Sequence, residues 1–142
     1  LSPDGTTFYV ADQNRGGVYE VNGATMNVTG FLPTVQGAHG LYISRNSQCL
    51  YLTDRGEGAI SVIDIATNKV AATWRFPGGA SPDLGNVSPD GKVLWVSGCY
   101  NDVVYAISIT DGHVIAQVPV PNAPHRVCVW PQLGTTRSGT RG

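Results

Sequence analysis

The stretch Ser44-Arg45-Asn46-Ser47-Gln48-Cys49-Leu50-Tyr51-Leu52-Thr53-Asp54, continuing without a gap to Trp74, decides the fold, because it is the middle copy of a template that the chain writes three times. The other copies start at Ser2 and Ser88. Seven residues after each serine stand Tyr9, Tyr51 and Trp95, and the next position holds Val10, Leu52 and Val96. Ten residues on come Asp12, Asp54 and Gly98, then Val21, Ile63 and Ile107, then Val28, Val70 and Val114. Leu32, Trp74 and Val118 close the unit. The restarts lie 42 and 44 residues apart, and the two extra residues fall in the loop-like stretch Pro77 to Pro82. A fixed period of this length outranks local propensity as evidence of architecture.

Within each unit the apolar period is two, as from Gly58 to Asp64 and from Asp102 to Ser108, which predicts strands. Asp4-Gly5, Asn22-Gly23, Asp90-Gly91 and Asp111-Gly112 supply the residues that tight hairpin turns need. Four short strands per unit follow: an innermost one at Leu41 to Ser44 and its equivalents, a second at Leu50 to Asp54, a third at Ala59 to Ile63 and a fourth at Val70 to Phe76. Four antiparallel strands in a unit of about 40 to 45 residues describe a β-propeller blade. The fold class is therefore all-β, with three blades near residues 1–37, 38–81 and 82–123. A further innermost strand is expected within 124–132, because Trp130 stands 42 residues after Ser88. Residues 133–142 read as a disordered tail. Four blades would need about 170 residues at this period, against the 142 present. The chain is thus expected to be part of a larger, seven-bladed propeller, its end blades exposing apolar faces and strand edges that favour self-association.

The motifs Ser2-Pro3-Asp4-Gly5 and Ser88-Pro89-Asp90-Gly91, with aromatic-led strands such as Tyr51-Leu52-Thr53-Asp54, resemble the YVTN-type propeller repeats of bacterial surface-layer and secreted proteins. Gly37-Ala38-His39-Gly40-Leu41, Arg55-Gly56-Glu57-Gly58 and Pro124-His125 through Gln132 are similar to the carboxy-terminal blades of actinobacterial members. The resemblance implies a noncatalytic binding or scaffold propeller that is secreted, periplasmic or at the cell surface. Related repeat propellers include lactonases and quinone-linked dehydrogenase subunits, so a channel-mouth enzyme or a metal- or cofactor-binding propeller is the alternative.

The formal charge of −1 provides no field for nucleic acid or an anionic membrane, and no apolar run is long enough for a transmembrane helix. No cofactor is indicated. Cys49, Cys99 and Cys128 form no CxxC pair and read as small apolar residues, with Cys128 on a buried innermost strand. Tyr9, Tyr51 and Trp95 recur once per unit, which predicts packing between blades. Asp12 and Asp54 are expected to organise the loops that follow them. The candidate ligand-binding positions are His39, Asp83 and His125, each five residues before a restart. Three neighbouring blades would aim them at one rim of the central channel. Imidazole and carboxylate are suitable metal ligands, yet equivalent positions on splayed blades are widely spaced, so no metal site is assigned from the sequence. Arg15, Arg55 and Glu57 are expected in loops at the opposite end of the blades, and His113 in an exposed turn.

Overall fold

The computed structural model describes residues 1–130, so the expected tail lies outside the described residues. Eleven strands form three antiparallel sheets. The first holds β1 (Thr7–Asp12), β2 (Gly17–Asn22) and β3 (Val28–Pro33) in sequence order. The second runs through β4 (Ala38–Ile43), β5 (Cys49–Asp54), β6 (Ala59–Asp64) and β7 (Lys69–Arg75), and the third through β8 (Pro82–Val87), β9 (Val93–Gly98), β10 (Val103–Ser108) and β11 (Val114–Pro119). Each sheet is a meander, and β4 packs against β1 on one side and β8 on the other. These are the stacked sheets of a β-propeller, with β4 and β8 innermost.

The serine at each restart works in the hairpin that joins the innermost strand to the second. Ser2 Oγ donates to Asp4 Oδ1 at 2.5 Å and accepts from the Thr7 amide at 2.9 Å. Ser88 repeats this with Asp90 at 2.5 Å and the Val93 amide at 2.9 Å. The middle unit lacks the Asp-Gly pair but reproduces the turn: Ser44 Oγ donates to Asn46 Oδ1 at 2.7 Å and accepts from the Cys49 amide at 2.9 Å. Ser47 takes a φ of 60° where Gly5 and Gly91 have 75° and 71°. An amide oxygen thus replaces a carboxylate, and a serine accepts the left-handed backbone that glycine adopts more readily.

Period-two alternation gives the central sheet two buried faces. Leu50, Leu52 and Ile63 pack with Val18 against the first sheet, with Tyr9, Ala11 and Leu32 alongside. Tyr51, Ile60 and Val62 pack against Val87, Leu94, Val96, Tyr105 and Ile107 of the third. Through that cluster Tyr51 packs between blades as its recurrence predicts, and within its own sheet it stacks on Trp74 at 5.7 Å between ring centroids. Burying a side chain such as Leu52 completely contributes about 1.5–3 kcal/mol, which makes the two inter-sheet layers the main source of stability. The outer faces of the first and third sheets are uncovered among the described residues, with Phe8 and Val10 on β1 and Ile115 and Val118 on β11 exposed.

Both innermost strands begin three residues earlier than the spacing predicts, because each contains a β-bulge. Ala38 pairs with Asp54 and Leu41 with Leu52, so His39 and Gly40 together oppose Thr53. Likewise Pro82 pairs with Gly98 and Gly85 with Val96, so Asp83 and Leu84 oppose Ser97. The segment expected to supply a further innermost strand, around Arg126 to Val129, contributes one parallel bridge from Arg126 to Leu84, with the Val127 amide donating to the Leu84 carbonyl at 3.3 Å.

Candidate functional site

The bulges create the site. An extra residue in one strand leaves backbone groups without ladder partners and re-aims a side chain, and here hydroxyls from the second strands take up those groups. Thr53 Oγ1 accepts from the Gly40 amide at 2.8 Å and donates to the Asp83 carbonyl at 2.8 Å, tying one bulge to the next across the sheet boundary. Ser97 Oγ donates to the Leu84 carbonyl at 3.0 Å. Thr53 and Ser97 occupy the same template position, where the first unit has Ala11. The Tyr42 hydroxyl accepts from the Gly85 amide at 2.9 Å, and burial pushes its pKa up to about 12, so it remains a phenol.

With the backbone so held, the Asp83 side chain is fully buried at the inter-sheet junction, and the three positions singled out by register meet on it. His125 Nδ1 lies 2.7 Å from Asp83 Oδ2. His39 Nε2 lies 2.8 Å from Asp83 Oδ1, a close contact without the alignment of a hydrogen bond, and this nitrogen is buried. The two imidazole centroids are 6.3 Å apart. Burial lowers the His39 pKa; the Asp83 charge opposes that effect, while Arg55 and His125 add to it. His39 is therefore a neutral imidazole at pH 7.

Two further side chains reach the same place. Arg55 Nη1 lies 3.4 Å from Asp83 Oδ1, and its guanidinium carbon is 5.3 Å from the centre of the exposed Tyr100 ring. This corrects the expectation that Arg55 sits at the opposite end of the blade. Antiparallel pairing of Asp54 with Ala38 turns the loop after β5 back over the start of β4, beside His39. Glu57 shares that loop end and pairs with Arg75 at 3.4 Å, while Arg15 lies over the Phe31 ring at 3.9 Å. Cys99, Asp83 and His125 each offer one potential ligand atom, all within 4.8 Å of one another. Arg55 and Cys99 stand at one template position, eleven residues after their restarts; like the His/Asp/His set, that position keeps its register and changes its side chain, which is the signal that could have found it. Cys128 is exposed rather than buried, in a segment that joins the third sheet through the Arg126–Leu84 bridge. His113 is exposed as expected, 2.6 Å from Asp111.

Asp12 and Asp54 share a template position and differ in role. Asp12 Oδ1 accepts from the amides of Asn14 and Arg15 at 3.0 Å each, organising its loop as predicted. Asp54 accepts instead from Ser61 Oγ at 2.6 Å and Thr34 Oγ1 at 3.1 Å, and it is fully buried. Burial pushes its pKa up to about 6, against the lowering effect of those hydroxyls. The desolvation comes from packing of the first sheet against the second.

Stacked antiparallel meanders, one of three strands and two of four, with a polar cluster on the bulged innermost strands, define a β-propeller. The family model for the YNCE-like beta-propeller matches residues 8–134, and the chain belongs to that family. Solved structures agree on the fold. Hydrazine synthase of Kuenenia stuttgartiensis is 23% identical with a TM-score of 0.74, over 89% of this chain and 36% of that one. A catalytically inactive virginiamycin B lyase from Staphylococcus aureus, solved with quinupristin, is 14% identical with a TM-score of 0.72, over 88% and 42%. The dihydro-heme d1 dehydrogenase NirN is 18% identical with a TM-score of 0.67, over 91% and 29%. The chain spans less than half the length of each of these structures. No curated protein matches it.

Proposed function

We propose that this chain contributes blades to a noncatalytic binding propeller of the YVTN type, acting outside the cytoplasm of a bacterium, with its ligand held at the channel mouth around Asp83. The observation that carries the reading is the occupation of both Asp83 oxygens by protein groups, His39 and Arg55 on one and His125 on the other. A carboxylate so committed positions its neighbours rather than taking a proton from a substrate. The groups it positions are the His125 ring, whose side chain is 65% exposed, and the Arg55 guanidinium, a fixed cation with five N–H donors beside the Tyr100 phenol. Such a face suits an acceptor-rich, anionic ligand. An enzyme remains the second reading on one observation, the neutral His39 imidazole against a carboxylate, which is the form a general base takes.

Titration with inorganic phosphate and citrate in the presence of a chelator, followed by NMR shifts, tests the proposal. Binding should weaken about tenfold or more in His125→Ala and Asp83→Asn and be unchanged in His113→Ala. Equal binding by wild type and His125→Ala would overturn the rim reading, and conversion of a bound ligand would favour the enzyme.

A further inference from the structure

Resting on that reading of the rim, we propose that the channel mouth also holds one divalent cation of the zinc type, between Asp83, Cys99 and His125. The three side chains come from separate stretches of chain, the bulge of β8, the loop after β9 and the segment after β11, yet their ligand atoms lie within 4.8 Å of one another. A tetrahedral site with bonds of about 2.0–2.3 Å places its ligand atoms about 3.3–3.8 Å apart, so an adjustment of about an ångström closes the set. The half-buried Cys99 and the exposed His125 ring have room to make it.

The donor set selects the ion. One thiolate, one imidazole and one carboxylate suit zinc and its neighbours and are wrong for magnesium or calcium, which take oxygen. Packing separates Cys99 from the other cysteine of a second strand region: Cys49 lies against the core between the second and third sheets, whereas Cys99 belongs to neither core cluster among the described residues. The other Asp83 oxygen is fixed by His39 Nε2 at 2.8 Å and Arg55 at 3.4 Å, the outer contacts that orient a ligating carboxylate. His125 Nδ1 and Asp83 Oδ2, now 2.7 Å apart, would turn from each other to the ion. The imidazole proton moves to Nε2, and the Cys99 thiol proton passes to solvent. With ion, thiolate, carboxylate and the Arg55 guanidinium counted, the site carries one net positive charge, so an open fourth position would take water or an anionic ligand.

Cobalt(II) is the probe. Titrated into the whole chain, it should bind at one equivalent with a thiolate-to-cobalt charge-transfer band and the visible bands of four-coordinate Co(II), both erased by zinc. Cys99→Ser should lose the charge-transfer band. His125→Ala should weaken binding at least tenfold, while Cys128→Ser and His113→Ala behave as wild type; thermal melts of each variant confirm folding. Absence of the band in folded wild type, its survival in Cys99→Ser, or its loss in Cys128→Ser would overturn the inference. The two readings separate: phosphate binding under chelator without a cobalt band leaves the rim and removes the metal, and the reverse pattern leaves the metal and removes the anion-binding rim.

Discussion

Replacing Gly85 by alanine is expected to cost more than about 4 kcal/mol, enough to unfold a domain of ordinary stability. A Cβ on Gly85 would lie 1.6 Å from the Trp95 carbonyl oxygen and 2.6 Å from its carbon. Both are backbone atoms of the paired strand β9, so no side-chain rotation relieves the overlap. The strand would have to leave its partner just beyond the bulge that carries Asp83, and the Gly85 amide would lose its bond to the Tyr42 hydroxyl. Gly5→Ala is the control. It meets nothing within 4 Å and has only a φ of 75° to contend with, so its cost should stay near about 1–2 kcal/mol. Urea melts of both variants measure the difference, and a Gly85→Ala protein within 1 kcal/mol of wild type would show that β8 does not press on β9 as described.

The second large effect has the opposite sign. Asp54→Asn should stabilise the fold above pH 7 by about 1–3 kcal/mol. A carboxyl whose pKa is about 6 folded and 3.8 in the free state binds its proton more tightly in the folded chain. Its burial therefore costs nothing below about pH 4, and stability falls as pH rises through 6. The full penalty reaches about 3 kcal/mol for a shift of about two units. Asparagine keeps an oxygen for the Ser61 hydroxyl and offers an N–H to Thr34 Oγ1, whose own hydrogen can turn to the Val35 carbonyl at 3.2 Å. His39 acts with the reverse sign. Its lowered pKa means that stability is lost as pH falls below 6.5, so the informative quantity is the difference between wild type and Asp54→Asn across pH 4–8. That difference should grow with pH and vanish near pH 4. A variant less stable than wild type at every pH would mean that Asp54 is held ionised.

What the sequence discloses and what it hides divide along a physical line. Ser2, Ser44 and Ser88 are legible because each repeats one local hydrogen-bonded turn, and a local device leaves a local pattern. Tyr51 and Leu52 are legible because alternate faces of one strand alternate in hydropathy. That His39, Asp83 and His125 lie near one another was predictable from register. Their arrangement around a single buried carboxylate was not, because it depends on two bulges whose only trace is a hydroxyl at Thr53 and Ser97. The placement of Arg55 and Cys99 follows from which end of an antiparallel pair the loop returns to, and assigning the strand start three residues late concealed it. Asp54 separates from Asp12 through burial between sheets, a property of two distant segments that neither segment encodes on its own.

The central claim is that neighbouring blades bring two imidazoles onto the Asp83 carboxylate. Long-range proton–nitrogen correlation spectra of the three histidines, in wild type and Asp83→Asn, test it most directly. The account predicts that the ring nitrogens of His39 and His125 both shift on substitution, while those of His113, paired with Asp111 on a remote turn, stay in place. Unchanged His39 and His125 resonances in a folded Asp83→Asn protein would contradict it.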